Sequence, residues 1–355
     1  MTRNAAVPIG VVTNPNSKKN RALRDRKDKL QGIVRDLGIV RETRSVGEIR
    51  PTVEEFLDRG VRYWVSDGGD GALHWLVNEA WTTLGARPET RGLSLPCTIP
   101  TNGGTIDFVA KKVGIRGQAE DILDRLVRAE ERGERYPEVD VPSFIFSGVQ
   151  RDEATGEERP FERLGFCGAI AGIGQRFFDK YYLDPLPGPT TIVKVIAKGV
   201  ASLALDAPVV SLLPGIPDAW RQYGWDLITP VAARVRVDGR ELPFDRFNAL
   251  HVGSIFADIG GVVRLFPFAG DGKLHVMAGN PGPLGVVTNL RHLFFGTPMQ
   301  HRDLVDVPAT KLEVEAMGGE LLSPCLDGEI FRGIVSATIV PGPRIRVPRI
   351  DASRS

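Results

Sequence analysis

Between Val61 and Glu79 the chain reads VRYWVSDGGDGALHWLVNE: an apolar run, three glycines set around one acid, then apolar residues at helical spacing. Tyr63, Trp64 and Val65 suit a buried strand, and Leu73, Leu76, Val77 and Ala80 recur as one helix face, so Ser66 to Gly71 must form the turn between them. Gly68, Gly69 and Gly71 lack the Cβ that would hold a ligand away. They also reach backbone angles closed to other residues, and the N–H groups opening the next helix favour an anion such as phosphate. Asp70 is the odd member, because a carboxylate beside phosphate is repelled unless it holds a metal, accepts a proton or anchors the loop by hydrogen bonds. The same residues equally suit a plain tight turn with Asp70 as helix cap.

Around this turn, strand and helix patterns alternate: Val7 to Thr13, Arg21 to Leu37, Val40 to Arg44, Val53 to Arg59, Tyr63 to Ser66, Leu73 to Trp81 and Leu93 to Ile99. Such alternation predicts a Rossmann-like three-layer α/β domain on a parallel sheet over residues 1–133. In that architecture ligands bind at the carboxyl ends of the strands, where Asn14-Pro15, Thr43, Gly68 to Gly71 and Thr101 to Thr105 would emerge together.

From residue 134 the texture becomes short strands with turns, which predicts a β-rich domain over residues 134–325. Val237 to Arg240, Gly260-Gly261 and Asp271-Gly272 are turn signals, and the charged stretch Arg151 to Pro160 reads as an exposed hairpin loop. Pro185 to Pro189 breaks the chain before an apolar helix, Ile192 to Leu205. The basic, Pro-rich tail after Pro341 is expected to be partly disordered.

A length of 355 residues, with 42% hydrophobic, supports two such domains and excludes a disordered or fibrous chain. Lys plus Arg number 45 against 44 Asp plus Glu, with no long basic run, so no nucleic-acid groove is indicated. Cys97, Cys167 and Cys325 are far apart and lack metal-ligand spacing, which predicts free thiols in a reducing compartment. The five histidines show no paired spacing and read as structural or surface residues. MTRNAAVPIG has no apolar core of signal-peptide length, and Ile192 to Leu205 is interrupted by Lys194, Lys198 and Gly199. A cytoplasmic protein is expected, one whose apolar helix could still lie against a bilayer surface.

Several stretches, in order, resemble the diacylglycerol kinase catalytic domain family, which includes bacterial lipid kinases and sphingosine kinases and is related to the NAD kinases. Thr13 to Ser17 (TNPNS) is similar to its asparagine-proline phosphate loop, Thr43 with Gly47 to its second-strand threonine, and GGDG to its glycine turn. Pro100, Gly104-Thr105 and Asp107-Phe108 resemble its proline, glycine-threonine, aspartate-phenylalanine loop. Val139 to Val141, Gly168 to Phe177, Gly260-Gly261, Pro267 to Leu274 and Leu326 to Glu329 follow in family order, so the resemblance spans nearly the whole chain.

The resemblance implies a β-sandwich-like second domain, a final segment (326–355) returning to the first domain, ATP and Mg²⁺ as cofactors, and a lipid hydroxyl as acceptor. It assigns nucleotide contacts to Asn14, Pro15, Asn16, Ser17, Thr43, Gly68, Gly69, Gly71, Ala72, Gly104 and Thr105. Asp70 would organise metal or acceptor, and the late Asp327-Gly328-Glu329 would hold the general base and its partner. Those two acids, set two apart, are expected on one face, with Glu329 favoured as base. Asp271, with carbonyls near Phe268 and Lys273, corresponds to a magnesium loop, although a plain Asp-Gly turn fits locally. Phosphoryl transfer asks a protein for little beyond these parts.

Two departures stand out. Ala72 replaces the threonine after GGDG, and the second loop carries one extra residue, with Ile106 where asparagine is expected. Each lost hydrogen bond to phosphate costs roughly 1 to 3 kcal/mol. The expected activity is therefore an ATP-dependent lipid kinase of diacylglycerol or long-chain-base type, touching the membrane transiently. A catalytically impaired nucleotide- or lipid-binding module and an NAD kinase remain as alternatives, and a homodimer is left open.

Overall fold

Strands β1 (Ile9–Thr13), β2 (Gly38–Glu42), β3 (Tyr63–Asp67) and β4 (Cys97–Pro100) form a sheet in the order β2-β1-β3-β4, with every pairing parallel. The computed structural model describes residues 7–17, 19–88, 90, 92–205 and 217–350. The chain divides into two units, Met1–Val141 with Pro343–Ser355, and Pro142–Gly342. In the first, helices α1 (Arg26–Val34), α2 (Ile49–Asp58) and α3 (Asp70–Ala86) link the strands, and α4 (Phe108–Lys112) and α5 (Ala119–Glu131) follow. Strands β1, β3 and β4 are buried along their whole length, which is why they read as mostly apolar runs without alternation, broken by Thr13, Ser66, Asp67 and Thr98. Trp64 is a core residue: its indole N–H donates to the Val61 carbonyl at 3.0 Å and its ring meets Phe56 edge-on. In-register pairing sets Thr13 beside Glu42 and Asp67, so the loops beginning at Asn14, Thr43 and Gly68 leave the sheet at one edge.

The second unit is antiparallel. Its elements are β5 (Glu138–Arg151), β6 (Glu158–Gly165), β7 (Cys167–Gly172), α6 (Ile173–Tyr181), α7 (Pro189–Leu205), α8 (Asp218–Ile228), β8 (Val231–Val237), β9 (Arg240–Glu241), β10 (Arg246–Phe247) and β11 (Ala249–Gly253). They continue with β12 (Ala257–Ile259), β13 (Val263–Leu265), β14 (Leu274–Gly279), α9 (Pro283–Phe295), β15 (Leu304–Ala309), β16 (Leu312–Ala316), β17 (Cys325–Leu326), β18 (Glu329–Ile330) and β19 (Ile334–Pro348). One large sheet runs β10-β8-β16-β19-β5-β6 with β9 on β8, a second β15-β14-β11-β7-β17-β18, and β12 pairs with β13 in a small two-stranded sheet. Phe144, Phe146, Leu250, Val276, Leu312 and Ile339, drawn from both sheets, are fully buried. The expected hairpin loop is present: Arg151 pairs with Glu158 across the turn.

The tail differs from expectation. Residues 334–348 form the long strand β19, and only residues 351–355 of the tail lie outside the described residues. Ile345 and Val347 are buried to 1%, while Arg344 and Arg346 face Asp140 and Glu138 at 3.8 and 3.4 Å. The alternation Arg-Ile-Arg-Val is a strand signal that the basic, Pro-rich composition obscured.

Candidate active site

Asp67 ends β3 as a fully buried carboxylate, and a charge there needs partners. Arg26, 7% exposed, supplies a bidentate pair: Nη2 to Oδ1 at 2.8 Å and Nε to Oδ2 at 3.0 Å. The Thr13 hydroxyl donates to Oδ2 at 2.7 Å. Beyond it the Arg26 Nη1 reaches Glu120 at 2.6 Å, which also accepts Lys29 at 2.8 Å. Burial alone would raise the Glu120 pKa, but Lys29, a backbone N–H and Arg26 outweigh it and bring it down to about 2. Neither Arg26 nor Glu120 was singled out by the sequence reading; the signal was an acid terminating an apolar strand.

This cluster fixes the first loop. The Asn20 side-chain amide donates to the backbone carbonyls of Asn14 and Asp67, both at 3.0 Å, and the Asn14 N–H donates to Asp67 O at 3.1 Å. Asn14 in turn accepts the Asn16 N–H on its side chain at 2.9 Å and the Ser17 N–H on its carbonyl at 3.1 Å, closing a tight turn through Pro15. Asn16 Nδ2 reaches the Arg44 carbonyl, and the Thr43 N–H donates to Thr13 O, so the second loop is tied to the first.

The glycine turn packs backbone to backbone against the third loop. A methyl group placed on Gly69 would lie 2.8 Å from the Gly104 Cα, and one on Gly103 would lie 2.8 Å from the Gly68 carbonyl oxygen. On its other side Gly68 faces Ser17 and Ala72. The Gly103 N–H donates to Gly68 O at 3.1 Å. Helix α3 opens on Gly69 as N-cap with no side-chain cap, so its first N–H groups have no intrahelical acceptor.

Asp70 acts as the loop anchor among the roles open to it. Its carboxylate accepts the Phe108 N–H at 3.2 Å and the Val109 N–H at 3.5 Å, capping α4 rather than its own helix. Asp107, in the left-handed region at φ 50°, accepts the Gly104 N–H at 2.9 Å and pairs with Lys19 at 3.6 Å. Burial raises its pKa, against the pull of Lys19. Lys19 also donates to the Asn102 carbonyl. Asn14 to Ser17, Thr43, Gly68 to Ala72 and Gly104 are thus joined through one network of loops, and Thr105 follows Gly104 in the third of them.

The other expected site residues lie in the second unit. Asp327 and Gly328 form the turn between β17 and β18, at φ 51° and 93°, and Glu329 opens β18 opposite Leu326. The two acids therefore do not share a strand face, because the chain reverses between them. Asp327 is buried and its Oδ1 accepts the Phe166 and Cys167 N–H groups at 3.0 and 2.9 Å, whereas Glu329 is half-buried at the strand edge. Tyr182 donates its hydroxyl to the Gly328 carbonyl at 2.8 Å.

Asp271, at φ 52°, sits in a tight turn closed by hydrogen bonds in both directions between Gly270 and Lys273. The Phe268 N–H is bound to His275 Nδ1 at 3.1 Å. Among the described residues no group of three or more His, Cys, Asp or Glu could hold a metal. One carboxylate with carbonyls and water suits only a hydrated hard cation. Burial pushes the Cys97 thiol up to about 12 and raises that of Cys325 as well, so both are poor nucleophiles.

A parallel α/β unit with paired glycine loops at its carboxyl edge, in one chain with an antiparallel β-rich unit, is the two-domain fold of diacylglycerol kinase-like proteins. Residues 8–135 match the family model of the diacylglycerol kinase catalytic domain. A crystal structure of a diacylglycerol kinase from Bacillus anthracis str. Sterne superposes with TM-score 0.57 at 12% identity, covering 96% of each chain. A second structure from the same organism, described there as a candidate diacylglycerol kinase, gives TM-score 0.60 at 14% identity over 96% of each chain. Likeness at such identities speaks for the fold. No curated protein matches the chain.

Proposed function

We propose that the protein is an ATP-dependent lipid kinase that transfers the γ-phosphoryl group to a lipid hydroxyl of diacylglycerol or long-chain-base type. The observation that carries this reading is the closure of Gly68-Gly69 on Gly103-Gly104 beside the uncapped N-terminus of α3, inside the stretch that matches the kinase domain. Backbone donors there would receive the nucleotide phosphates, with Asn14, Ser17 and Thr43 around them. Asp70 holds the third loop in place. Glu329 is the proposed general base, since Asp327 already spends its carboxylate on two backbone N–H groups. Asp271 and the Phe268 and Lys273 carbonyls would hold a hydrated Mg²⁺, which neutralises phosphate charge when bound. Action at the membrane surface from the cytoplasm follows from a lipid acceptor, and no helix among the described residues is long and apolar enough to cross a membrane.

The test is radiolabelled ATP incubated with the protein and a mixed lipid extract, with the products resolved. Labelled lipid is expected; label appearing only in NADP when NAD is supplied would replace this reading with that of an NAD kinase. A second reading has its own support: Ala72 offers no hydroxyl, and the Asp70 carboxylate is occupied by α4. A binding module of that kind would be stabilised thermally by ATP and consume none.

A further inference from the structure

Glu329 stands where its sheet holds it least. Strand β18 has two residues and lies at the outer edge of the sheet, paired among the described residues with β17 alone. In the turn before it Asp327 and Gly328 are both left-handed, at φ 51° and 93°, as a two-residue hairpin turn of type I′ requires. The Asp327 carboxylate pins the near side of this turn to the Phe166 and Cys167 N–H groups. Those bonds stop short of the peptide that carries Glu329.

Tyr182 grips that peptide. Its hydroxyl donates to the Gly328 carbonyl at 2.8 Å, and a Cβ on Gly328 would come within 3.1 Å of the same oxygen. The Gly328 carbonyl and the N–H and Cα of Glu329 lie in one planar peptide unit, so a group that fixes the first orients the others. A tether is only as stiff as its base, and this base is rigid. Tyr182 closes α6, where its N–H donates to Phe178 O at 3.0 Å. Its ring stacks on Phe178 at 5.9 Å and meets Tyr181, itself buried, edge-on at 5.3 Å. At the other end of α6 the Ile173 N–H donates to Asn248 O at 2.6 Å, and Gly174 packs against Ala169 of β7 and His251 of β11. Helix α6 therefore mounts the phenol on the same sheet that ends in β18. Tyr182 is 45% exposed, so core packing is a weak reason for an aromatic residue there, and its hydroxyl contact is a stronger one.

We infer that Tyr182 is a positioning residue for phosphoryl transfer, holding the Gly328–Glu329 peptide so that the Glu329 carboxylate keeps one orientation toward the acceptor hydroxyl. The inference rests on the kinase reading, which makes Glu329 the base, and adds the group that aims it. Phosphoryl transfer owes most of its rate to placement, and a displacement of about 1 Å costs roughly a hundredfold. One hydrogen bond at a weakly held strand edge is therefore enough to govern kcat. Its loss leaves the Asp327 anchor and the aromatic packing of α6 in place.

Tyr182→Phe keeps the ring and removes only the hydroxyl. In full-length protein it should lower kcat for lipid phosphorylation roughly ten- to a hundredfold, leave KM for ATP and lipid unchanged, and move the melting temperature by no more than about 4 °C. Hydrogen exchange over residues 326–331, read by mass spectrometry without ATP or lipid, should quicken roughly fivefold. Placed in Glu329→Gln, the same change should lower the residual rate no further, because a residue that acts through Glu329 has nothing left to aim. Tyr136→Phe, which loses a hydroxyl bonded to the Arg125 carbonyl at 3.3 Å in the first unit, should alter neither kcat nor exchange. Unchanged kcat in Tyr182→Phe, or an equal fall with and without Glu329, overturns the inference. Unchanged exchange overturns it whatever the activity. A wild type that labels no lipid sinks the kinase reading instead, and faster exchange in Tyr182→Phe would then still support the hold of Tyr182 on the turn.

Discussion

Gly69 and Gly104 approach so closely that a methyl group on Gly104 would lie 2.5 Å from the Gly69 Cα. The contact is backbone against backbone, so no side-chain rotation can relieve it. Gly104→Ala is expected to destabilise by about 1 to 3 kcal/mol and to push the two loops apart. Calorimetric or dye-monitored melting checks both effects, the second as loss of the thermal shift expected when ATP is added to the wild type. Gly85→Ala, on an open helix position, is the matched control.

Asp70 ties the glycine turn to α4. In Asp70→Asn the carbonyl oxygen can still accept from Phe108, so the fold should survive with a loss of about 1 kcal/mol. Transfer to lipid is nevertheless expected to be abolished, because the neutral amide has no charge with which to organise a metal ion or the acceptor hydroxyl beside the phosphates. Parallel urea unfolding and ATP-dependent lipid labelling separate the two effects. Wild-type labelling in this variant would remove Asp70 from the proposed chemistry.

Local patterns made much of this legible, and distant ones did not. The strand, glycine turn and helix around Gly69 are encoded within twenty residues by period and composition, and the alternation of such strands and helices from Ile9 to Pro100 gives the parallel sheet. The partnership of Arg26 with Asp67 and Glu120 joins three separate segments, so no spacing announces it. The expected common face for Asp327 and Glu329 failed because period two holds only along one strand, and here the strand turns back at Gly328. Strand β19 was hidden by its prolines and arginines, whose partners Glu138 and Asp140 lie some two hundred residues earlier in the sequence.

Asp327 and Glu329 should therefore part company on mutation. Asp327→Asn keeps the left-handed turn, which asparagine tolerates, but loses one acceptor for the Phe166 and Cys167 N–H groups, at a cost of about 1 to 3 kcal/mol. Glu329→Gln should leave the melting temperature within about a degree or two, as befits a half-buried strand-edge residue, and lower kcat for lipid phosphorylation by about a hundredfold or more with little change in KM. Stability loss in the glutamine variant with retained kcat would return Glu329 to a structural role.

The buried charges around Arg26 predict how the first unit responds to acid. Removing Arg26 alone, as in Arg26→Ala, leaves the fully buried Asp67 carboxyl without its bidentate partner and is expected to cost about 3 to 5 kcal/mol. Glu120→Gln is milder, because Arg26 keeps its pair with Asp67. Folding depresses the Glu120 pKa from 4.5 to about 2, so its contribution, at most about 3 kcal/mol, is present above the unfolded value and fades as pH falls from 4.5 toward 2. The stability gap between wild type and Glu120→Gln, measured by urea unfolding, should be largest at pH 7 and should shrink between pH 5 and pH 3. Asp107 bends the curve the other way: burial raises its pKa, so its ionisation opposes folding as pH rises, and Asp107→Asn removes that opposing slope. A gap for Glu120→Gln that stays constant with pH would mean that its contacts with Arg26 and Lys29 do not depend on its charge.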